Sequence, residues 1–435
     1  MRKIVIIIIV TITFFSGNVS AQGSVGSPYS RYSIGEVNYS PLIRNNAMGG
    51  IGYTIISNNN VNFVNPAGIA NIDTLTFIFD FGMNGGVRQY CSSEPKISLL
   101  KNDYQISYVN FGFSAAKFWK IALGIAPYSN VGYNVSKQDS LFNVARIKRN
   151  YSGSGGVTRV YWTNAFKPFK KIDLKFGITA SYLFGEINHE SSMIFPNSPN
   201  DVGSFYDFYT KDIFRISAFN FEVGLQYDLV LKNKDKILFG ITSNFNNDLK
   251  CFRSKLEYTI NTISSIIDTI NEIKENEKIK DKISIPLNIG FGIAYLLNDK
   301  FYFGVDFKYQ DWSNVKIFDE KASLKNAYFI SAGLEYIPVG YNGIGYKYWE
   351  FMKFRLGGYF NQTYYNLTGE KYPIDDFGIT FGLGLPIKRS KTSFDISFKF
   401  GQKGTMKNNL IRERYFVAGV SFNLSDVWFV KSKFD

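Results

Sequence analysis

A strict alternation of apolar and other residues constrains this chain more than any other feature of its sequence. In each of the segments 172–184, 301–310 and 392–400, nearly every second residue is aromatic or aliphatic, and the residues between them are mostly polar or glycine. A period of two is the period of a β-strand with two different faces. The sequence therefore predicts an all-β fold.

The alternation recurs often enough to predict about fourteen strands, an even number within the range of bacterial single-chain barrels. The predicted strands are 74–90, 103–117, 119–136, 156–168, 171–190, 210–231, 236–250, 283–297, 300–311, 326–339, 352–366, 375–387, 391–403 and 412–426. The last of these has to pair with the first, because an unpaired strand edge is not tolerated in lipid.

The connections between these segments alternate between short and long. Short connections are predicted near 118–119, 167–171, 232–236, 298–300 and 388–391, and long ones near 91–102, 137–155, 191–209, 251–282, 312–325, 367–374 and 404–411. Short turns at one end and long loops at the other are typical of transmembrane barrels. A soluble antiparallel sandwich also alternates, but it gives no reason for this rhythm. The link 340–351 is an exception, being long where a short one is expected.

The composition and the first residues predict that the protein is exported to the outer membrane of a Gram-negative cell. Aromatic residues make up 17% of the chain, and barrels use them in girdles at both membrane interfaces. The first residues predict a cleaved signal peptide over 1–21. They contain the basic residues Arg2 and Lys3, an apolar run over 4–15 and small residues around Ala21. The apolar run is too short for a membrane anchor.

The segment 45–70, NNAMGGIGYTIISNNNVNFVNPAGIA, is rich in Asn and Gly and has no strand or helix period. A barrel of this size leaves a lumen, and irregular backbone at membrane depth is tolerated inside protein. We therefore predict three parts: a signal peptide over 1–21, an N-terminal hatch over 22–72 that fills the lumen, and a transmembrane β-barrel over 73–435.

The chain resembles a known family at this point. The strings NNAMGGIG, NPAGIA and DTLTFIFDFG, in that order, are similar to the start of the FadL/TodX family of outer-membrane channels for hydrophobic compounds, and SPYSRYSIGEV resembles one branch of it. The resemblance implies a fourteen-stranded barrel and a hatch with an Asn-Pro-Ala motif. It also implies passive uptake of small hydrophobic molecules, such as long-chain fatty acids.

The resemblance implies two sets of site residues. The hatch and gating residues would be Met48, Gly49, Gly50, Asn65, Pro66 and Ala67. A sideways exit for the ligand would lie at a kink in the third strand, at Gly124, Pro127 and Gly132. Proline lacks a backbone N–H and disrupts a strand ladder. An edge adjustment at the membrane interface would explain Pro127 equally well.

The longest predicted loop, 251–282, allows two interpretations. Ile263, Ile266, Ile267 and Ile270 recur at helical spacing, which would suit an amphipathic lid that captures an apolar ligand. Isoleucine and threonine are β-branched and favour strands, so the stretch could equally prolong two strands beyond the membrane.

Little in the sequence suggests chemistry, and we expect no catalytic site, metal or cofactor. His189 is the single histidine, and its neighbours Glu190 and Ser191 are found without the sharp strand-to-helix turn of a nucleophile elbow. Cys91 and Cys251 are far apart and could pair or remain thiols. Much of the formal charge of +13 comes from lysines in the predicted short turns, which we expect to be solvated turns on the periplasmic side. Lys and Arg at the outer side would be free to meet membrane lipid and lipopolysaccharide phosphates, whereas nucleic acid would require basic residues clustered on a compact domain.

Three functional hypotheses follow. The first is an outer-membrane channel, gated by the hatch, that admits small hydrophobic molecules. The alternative is a non-conducting scaffold barrel that serves a protein secretion or surface-assembly complex and binds one of its proteins. A third is a hydrolase that uses His189. A continuous apolar pocket would favour the channel, and a tightly filled lumen with large ordered outer loops would favour the scaffold.

Overall fold

A computed structural model describes most of the chain. It covers residues 26–428 except 40–41, 142–144, 170, 196–205, 234, 246, 262–266, 274–278, 318–319, 342, 344, 346, 368–371 and 388–389. The predicted signal peptide lies outside the described residues. Within them, no helix has both the length and the apolar character needed to cross a membrane.

Fourteen antiparallel strands form a closed barrel, which confirms the predicted fold. The strands are β1 Thr76–Ser92, β2 Ile97–Ser114, β3 Trp119–Leu141, β4 Ala145–Phe166, β5 Leu174–Ile194, β6 Tyr206–Val230, β7 Lys236–Asn244, β8 Asn288–Leu297, β9 Phe301–Gln310, β10 Ala327–Tyr336, β11 Lys353–Gln362, β12 Asp375–Pro386, β13 Ser393–Lys403 and β14 Arg412–Val427. Pairing of β1 with β14, from Thr76–Val427 to Cys91–Arg412, closes the ring. We call the end with the short turns periplasmic and the opposite end outer, as in other membrane barrels.

The two faces of the wall have opposite character. Side chains such as Phe219, Phe303 and Ile379 point outward and are exposed, as lipid-facing side chains should be. Inward side chains such as Asp306 and Arg355 are buried. A soluble sandwich would bury the apolar face instead, so this orientation agrees with a membrane barrel.

Three of the predicted long loops are mostly strand, which corrects the predicted boundaries. β2 begins at 97 and β4 at 145, where loops over 91–102 and 137–155 were expected. The predicted loop 251–282 holds parts of the strands Asn247–Asn261, Ile267–Ile273 and Ile279–Ile285. These stretches lie beyond the lipid, where both faces of a strand meet water, and so the alternation that marks a membrane strand fades.

The strand-extension interpretation of the longest loop is therefore the correct one in the part that can be described. Ile267 and Ile270 lie in a strand paired with Asn247–Asn261, and both are exposed. Ile263 and Ile266 lie outside the described residues. Ile270 is the extra residue at a β-bulge, and bulges protect an open sheet edge from unwanted pairing.

The wall has very unequal height around the ring. β3 to β6 are 21 to 25 residues long, whereas β8 to β11 have 10 residues each. An exposed outward ion pair between Arg215 and Glu186 lies on the tall side, above the lipid-facing Phe219. The tall side therefore projects into water well beyond the membrane.

Residues 26–72, which we call the N-terminal segment, are compact but contain little regular structure. Its elements are the 3-10 helices Pro28–Arg31 and Pro66–Asn71, the two-residue strand Glu36–Val37 and the single α-helical turn Ile43–Asn46. The remaining short elements are the 3-10 helices Trp312–Asn314, Tyr348–Phe351 and Lys407–Asn409 and the strands Lys316–Ile317 and Glu320–Lys321. No disulfide joins Cys91 and Cys251.

Candidate functional site: the lumen and the seam beside β3

The Asn-Pro-Ala turn of the N-terminal segment is seated on two glycines of the wall. Gly177 of β5 and Gly224 of β6 are directly paired. A Cβ atom on Gly177 would overlap the backbone of Pro66, and one on Gly224 would overlap the side-chain oxygen of Asn65. The wall thus lacks side chains at the place where this turn approaches it most closely.

Asn65 fixes the turn through every polar atom of its side chain. Its Nδ2 donates to the carbonyl oxygens of Tyr53 at 2.7 Å and Leu225 at 3.1 Å. Its Oδ1 accepts from the N–H of Ala67 at 3.0 Å and caps the helix Pro66–Asn71. The sequence-predicted residues Asn65, Pro66 and Ala67 therefore lie together, and they tie the segment to β6.

We expect Asn65→Ala to loosen this turn by about 0.5–2 kcal/mol, because the helix loses its N-cap and two carbonyls lose a donor. Amide hydrogen exchange of 66–71 should become faster in the variant. Asn59→Ala is the control, since Asn59 lies in the same segment and donates only an exposed bond to the carbonyl of Lys391. Equal exchange rates in the two variants would contradict the anchoring role of Asn65.

The Met-Gly-Gly stretch forms a second attachment. Gly49 and Gly50 have φ values of +70° and +94°, a region that favours glycine. The N–H of Gly49 donates to Oγ1 of Thr380 at 2.7 Å, and the side chain of Met48 is buried near the periplasmic end. Both predicted sets of hatch residues thus contact the wall, on opposite sides of the lumen.

A buried ion network, which the sequence reading missed, forms the third attachment. Arg44 of the segment pairs with Oε1 of Glu335 at 3.2 Å, and Arg355 pairs with Oε2 of Glu335 at 2.6 Å and with Asp395 at 2.5 Å. Tyr341, from the exceptional long periplasmic link, donates to the same Glu335 at 2.5 Å. One carboxylate therefore joins the segment, the wall and the periplasmic link.

Pairing between β2 and β3 stops halfway up the wall. It runs only from Ser114–Lys120 to Val109–Ile125. Among the described residues, no ladder joins the rest of β2, 97–108, to β3. β3 also carries a bulge between Pro127 and Ser129 in its pairing with β4. We call this gap the seam.

The predicted kink residues all lie along the seam. Gly124, just below the point where pairing stops, leaves room for the hydrogen bond from Tyr161 to Asn110. Pro127 begins the bulge, and the N–H of Gly132 has no acceptor on β2 and donates to Oγ of Ser30 at 3.0 Å.

The N-terminal segment covers the free edge of β3 from inside the barrel. Its strand Glu36–Val37 pairs with Asn130 and Ser129. The N–H of Asn38 donates to the carbonyl of the bulged Tyr128 at 3.0 Å. The edge is therefore paired internally over a few residues only.

A cavity of about 180 Å³ reaches the seam. Asp103 and Gln105 of β2, Asn130 of β3 and Glu36 of the N-terminal segment line it on this side. Gln105 and Asn130 share a side-chain hydrogen bond of 3.0 Å across the gap. The seam is thus held by one side-chain bond in place of a strand ladder.

The far side of the cavity combines aromatic rings with cations. The Nζ atom of Lys399 lies 4.2 Å from the ring centre of Tyr359, and Lys403 pairs with Glu36 at 3.1 Å. Burial by itself raises the pKa of Glu36, but the charges of Lys403 and, after it, Arg88 outweigh burial and hold that pKa below its usual range. The cavity is therefore polar and charged rather than apolar.

The outer mouth is closed by an apolar cluster. Its buried members come from the N-terminal segment, from the tall wall and from the outer connections that follow β9 and β11, and they include Ile34, Leu183, Trp312 and Tyr364. Trp312 and Tyr364 stack with their ring centres 4.1 Å apart. The lumen is filled above and below the cavity.

His189 has a structural environment. Its Nδ1 lies 2.7 Å from the hydroxyl of Tyr133, and it lies further along β5 than Glu186, beyond the lipid-facing part. Burial, and then the charge of Arg31, lowers its pKa. Within the described part of the chain, no group of three or more His, Cys, Asp or Glu could hold a metal ion.

Comparison with known sequences gives one family. The profile described as BamG matches residues 1–435, the whole sequence. The chain belongs to the BamG family. No curated protein sequence matches this BamG-family chain.

Solved structures similar to the BamG-family chain share its fold. The toluene transporter TodX of Pseudomonas putida has a TM-score of 0.59 at 13% identity, with 91% of this chain and 99% of TodX covered. The toluene transporter TbuX of Ralstonia pickettii has a TM-score of 0.55 at 13% identity, covering 89% and 98%. A FadL homologue from Pseudomonas aeruginosa has a TM-score of 0.50 at 11% identity, covering 91% and 98%. The resemblance to the FadL/TodX fold is therefore shown.

The residues of the ion network were not predicted from the sequence of this BamG-family chain, although the sequence contains a weak indication of them. Glu335, Arg355 and Asp395 stand at inward positions of neighbouring or nearby strands, where a filled lumen requires partners. Arg44 is one of only two basic residues, with Arg31, between residues 26 and 72. Because a charged side chain inside the barrel needs a partner of opposite charge, an arginine in this segment predicts a buried carboxylate on the wall.

Proposed function

We propose that the protein is an outer-membrane channel for passive uptake of small hydrophobic molecules, with the N-terminal segment as its hatch and the seam as a sideways exit. The observation that carries this proposal is the half-paired boundary between β2 and β3. The similar structures of the toluene transporters TodX and TbuX support the channel class for this fold.

The seam suits a sideways exit for a physical reason. Unpaired backbone groups in lipid cost several kcal/mol each and are tolerated only beside protein or a watery cavity. Here the cavity lies directly behind Asp103 and Gln105, which have no strand partner on the β3 side, and behind Asn130, which pairs there only with Glu36 of the N-terminal segment. An apolar molecule that reaches this cavity is separated from the outer leaflet by a side-chain hydrogen bond and not by a strand ladder.

The size of the cavity bears on the substrate. A cavity of about 150 Å³ is known to hold benzene, so 180 Å³ accommodates one small ring compound and not a whole long-chain fatty acid. The polar lining disfavours long residence of a pure hydrocarbon. We therefore propose small aromatic compounds that pass through transiently, in place of the fatty acids that the family resemblance implies.

Cross-linking the seam tests the channel. In a Cys91→Ser background, Gln105→Cys with Asn130→Cys, joined by a short bismaleimide, should abolish uptake of labelled toluene into proteoliposomes, because the two edges can no longer separate. The control is Ser136→Cys with Asn150→Cys, since these residues belong to β3 and β4, which are already paired there. Cross-linking that pair should leave uptake unchanged. Undiminished uptake through a cross-linked seam would refute the sideways exit.

The second candidate is the non-conducting scaffold, and the filled lumen favours it. The outer mouth is closed by an apolar cluster, the segment is attached at three places, and the tall wall projects an ordered sheet beyond the membrane. If the unmodified protein admits no toluene above an empty-vesicle control, and isolation in mild detergent yields one stoichiometric protein partner, the scaffold replaces the channel.

A further inference from the structure

A shallow apolar groove marks the lipid-facing surface where β1 and β2 meet β12 to β14. Its volume is about 630 Å³. Its apolar lining consists of Val87, Leu100, Phe377, Ile379, Phe400 and Phe416. Ile379 is 61% exposed, so an acyl chain can reach it directly from the bilayer, whereas Leu100 lies at the outer edge of the groove.

The groove has polar residues along its outer rim. Gln89, Gln402 and Arg414 line it on that side, and Nε of Arg414 donates to Oε1 of Gln402 at 3.3 Å. Arg412 lies two residues further along β14 and therefore on the same outward face, about 7 Å away. The apolar surface thus ends at a pair of guanidinium groups.

The height of these arginines places them at the outer interface. Leu424 is a lipid-facing residue near the periplasmic end of β14. A transmembrane strand needs about 9–11 residues to cross the hydrocarbon region, and Arg414 lies about ten residues beyond Leu424. Arg414 and Arg412 therefore reach the level at which the headgroups of the outer leaflet lie.

The charge of the two arginines is not compensated by protein. In the described residues, neither guanidinium has a carboxylate within ion-pair distance. Elsewhere on the outer surface the exposed guanidinium of Arg215 pairs with Glu186. Two unpaired guanidiniums above an apolar groove match a ligand with phosphates at one end and acyl chains at the other.

We propose that this groove is a specific binding site for lipopolysaccharide, with its phosphates on Arg412 and Arg414 and an acyl chain between Phe377 and Phe400. Lipopolysaccharide is chosen over phospholipid because the site lies at the outer end of the barrel and offers two cations. The site lies on the outside of the wall and does not depend on the proposed channel.

Native mass spectrometry of the full chain, delipidated in mild detergent and titrated with a short-sugar lipopolysaccharide, tests the proposal. We expect the bound fraction to fall at least fivefold in Arg412→Gln/Arg414→Gln and to stay unchanged in Arg215→Gln, the matched exposed arginine. Phe400→Ala, which keeps both cations, should lower it by a smaller factor. The result supports the site if phosphatidylglycerol at the same concentration fails to compete.

Two outcomes would overturn the proposal. The first is equal lipopolysaccharide binding by the double variant and by Arg215→Gln. The second is full displacement by phosphatidylglycerol, which would make the groove an ordinary lipid-facing surface. Heat-modified migration in gel electrophoresis shows whether each variant has folded. If the double variant does not fold, the binding of lipopolysaccharide by Phe400→Ala still tests the groove.

Discussion

Glu335→Gln is expected to lower the free energy of unfolding by about 3–5 kcal/mol, the cost of removing one partner from a buried ion pair. The glutamine has nearly the same shape, so the loss arises from charge and not from packing. Arg44 depends on Glu335 alone, whereas Arg355 retains Asp395. Urea unfolding of protein refolded into lipid vesicles measures the change.

The same variant should also release the N-terminal segment. Trypsin cleaves after arginine, and Arg44 is buried in the native protein, so cleavage at Arg44 reports displacement. Glu186→Gln is the control, because it breaks an exposed pair with Arg215 and such pairs contribute about 0–1 kcal/mol. If Glu335→Gln costs no more than this control, the network does not hold the segment.

Gly177→Ala is expected to destabilise the protein by about 1–3 kcal/mol, the usual cost of overpacking. The added methyl group overlaps the backbone of Pro66, so the turn around Asn65 has to move. Faster amide exchange over 66–71, measured beside urea unfolding, would locate the change in that turn.

Gly358→Ala supplies a control with the opposite expected sign. A Cβ atom there meets only the carbonyl oxygen of Gly378, at 3.6 Å. Replacing glycine with alanine at an unstrained position stabilises a protein by about 0.4–1 kcal/mol, chiefly through the unfolded state. If both variants are destabilised by a similar amount, the loss of stability arises from replacing any glycine of the barrel wall and not from the contact with Pro66.

Alternation was sufficient to predict the barrel because each membrane strand meets lipid on one face and protein on the other. The same argument explains why the strand ends were wrong. Above the membrane, the start of β2 at Ile97 and of β4 at Ala145 has no such contrast. The resemblance to the FadL/TodX family pointed to the Asn65-Pro66-Ala67 turn, but nothing in the sequence indicated the glycines of the wall that receive it.

The seam and the ion network depend on tertiary structure that no local pattern encodes. Residues 103–117 alternate in the same way whether or not β3 pairs with them, and only Pro127 hinted at the gap. Arg44 and Glu335 are separated by 291 positions, and sequence spacing says nothing about a pair so remote. Contacts of this kind can be identified only in the three-dimensional structure, in which the barrel surrounds the N-terminal segment.

Strands from the far end of the chain hold the N-terminal segment. Ser27 bonds to Glu413 across 386 positions, and Gly49 bonds to Thr380 across 331, so a segment that precedes the first barrel strand depends on β12 and β14, two of the last three strands. These bonds cannot form until β12 and β14 are present. A chain truncated before β12 would therefore lack both attachments, even though the whole segment is intact.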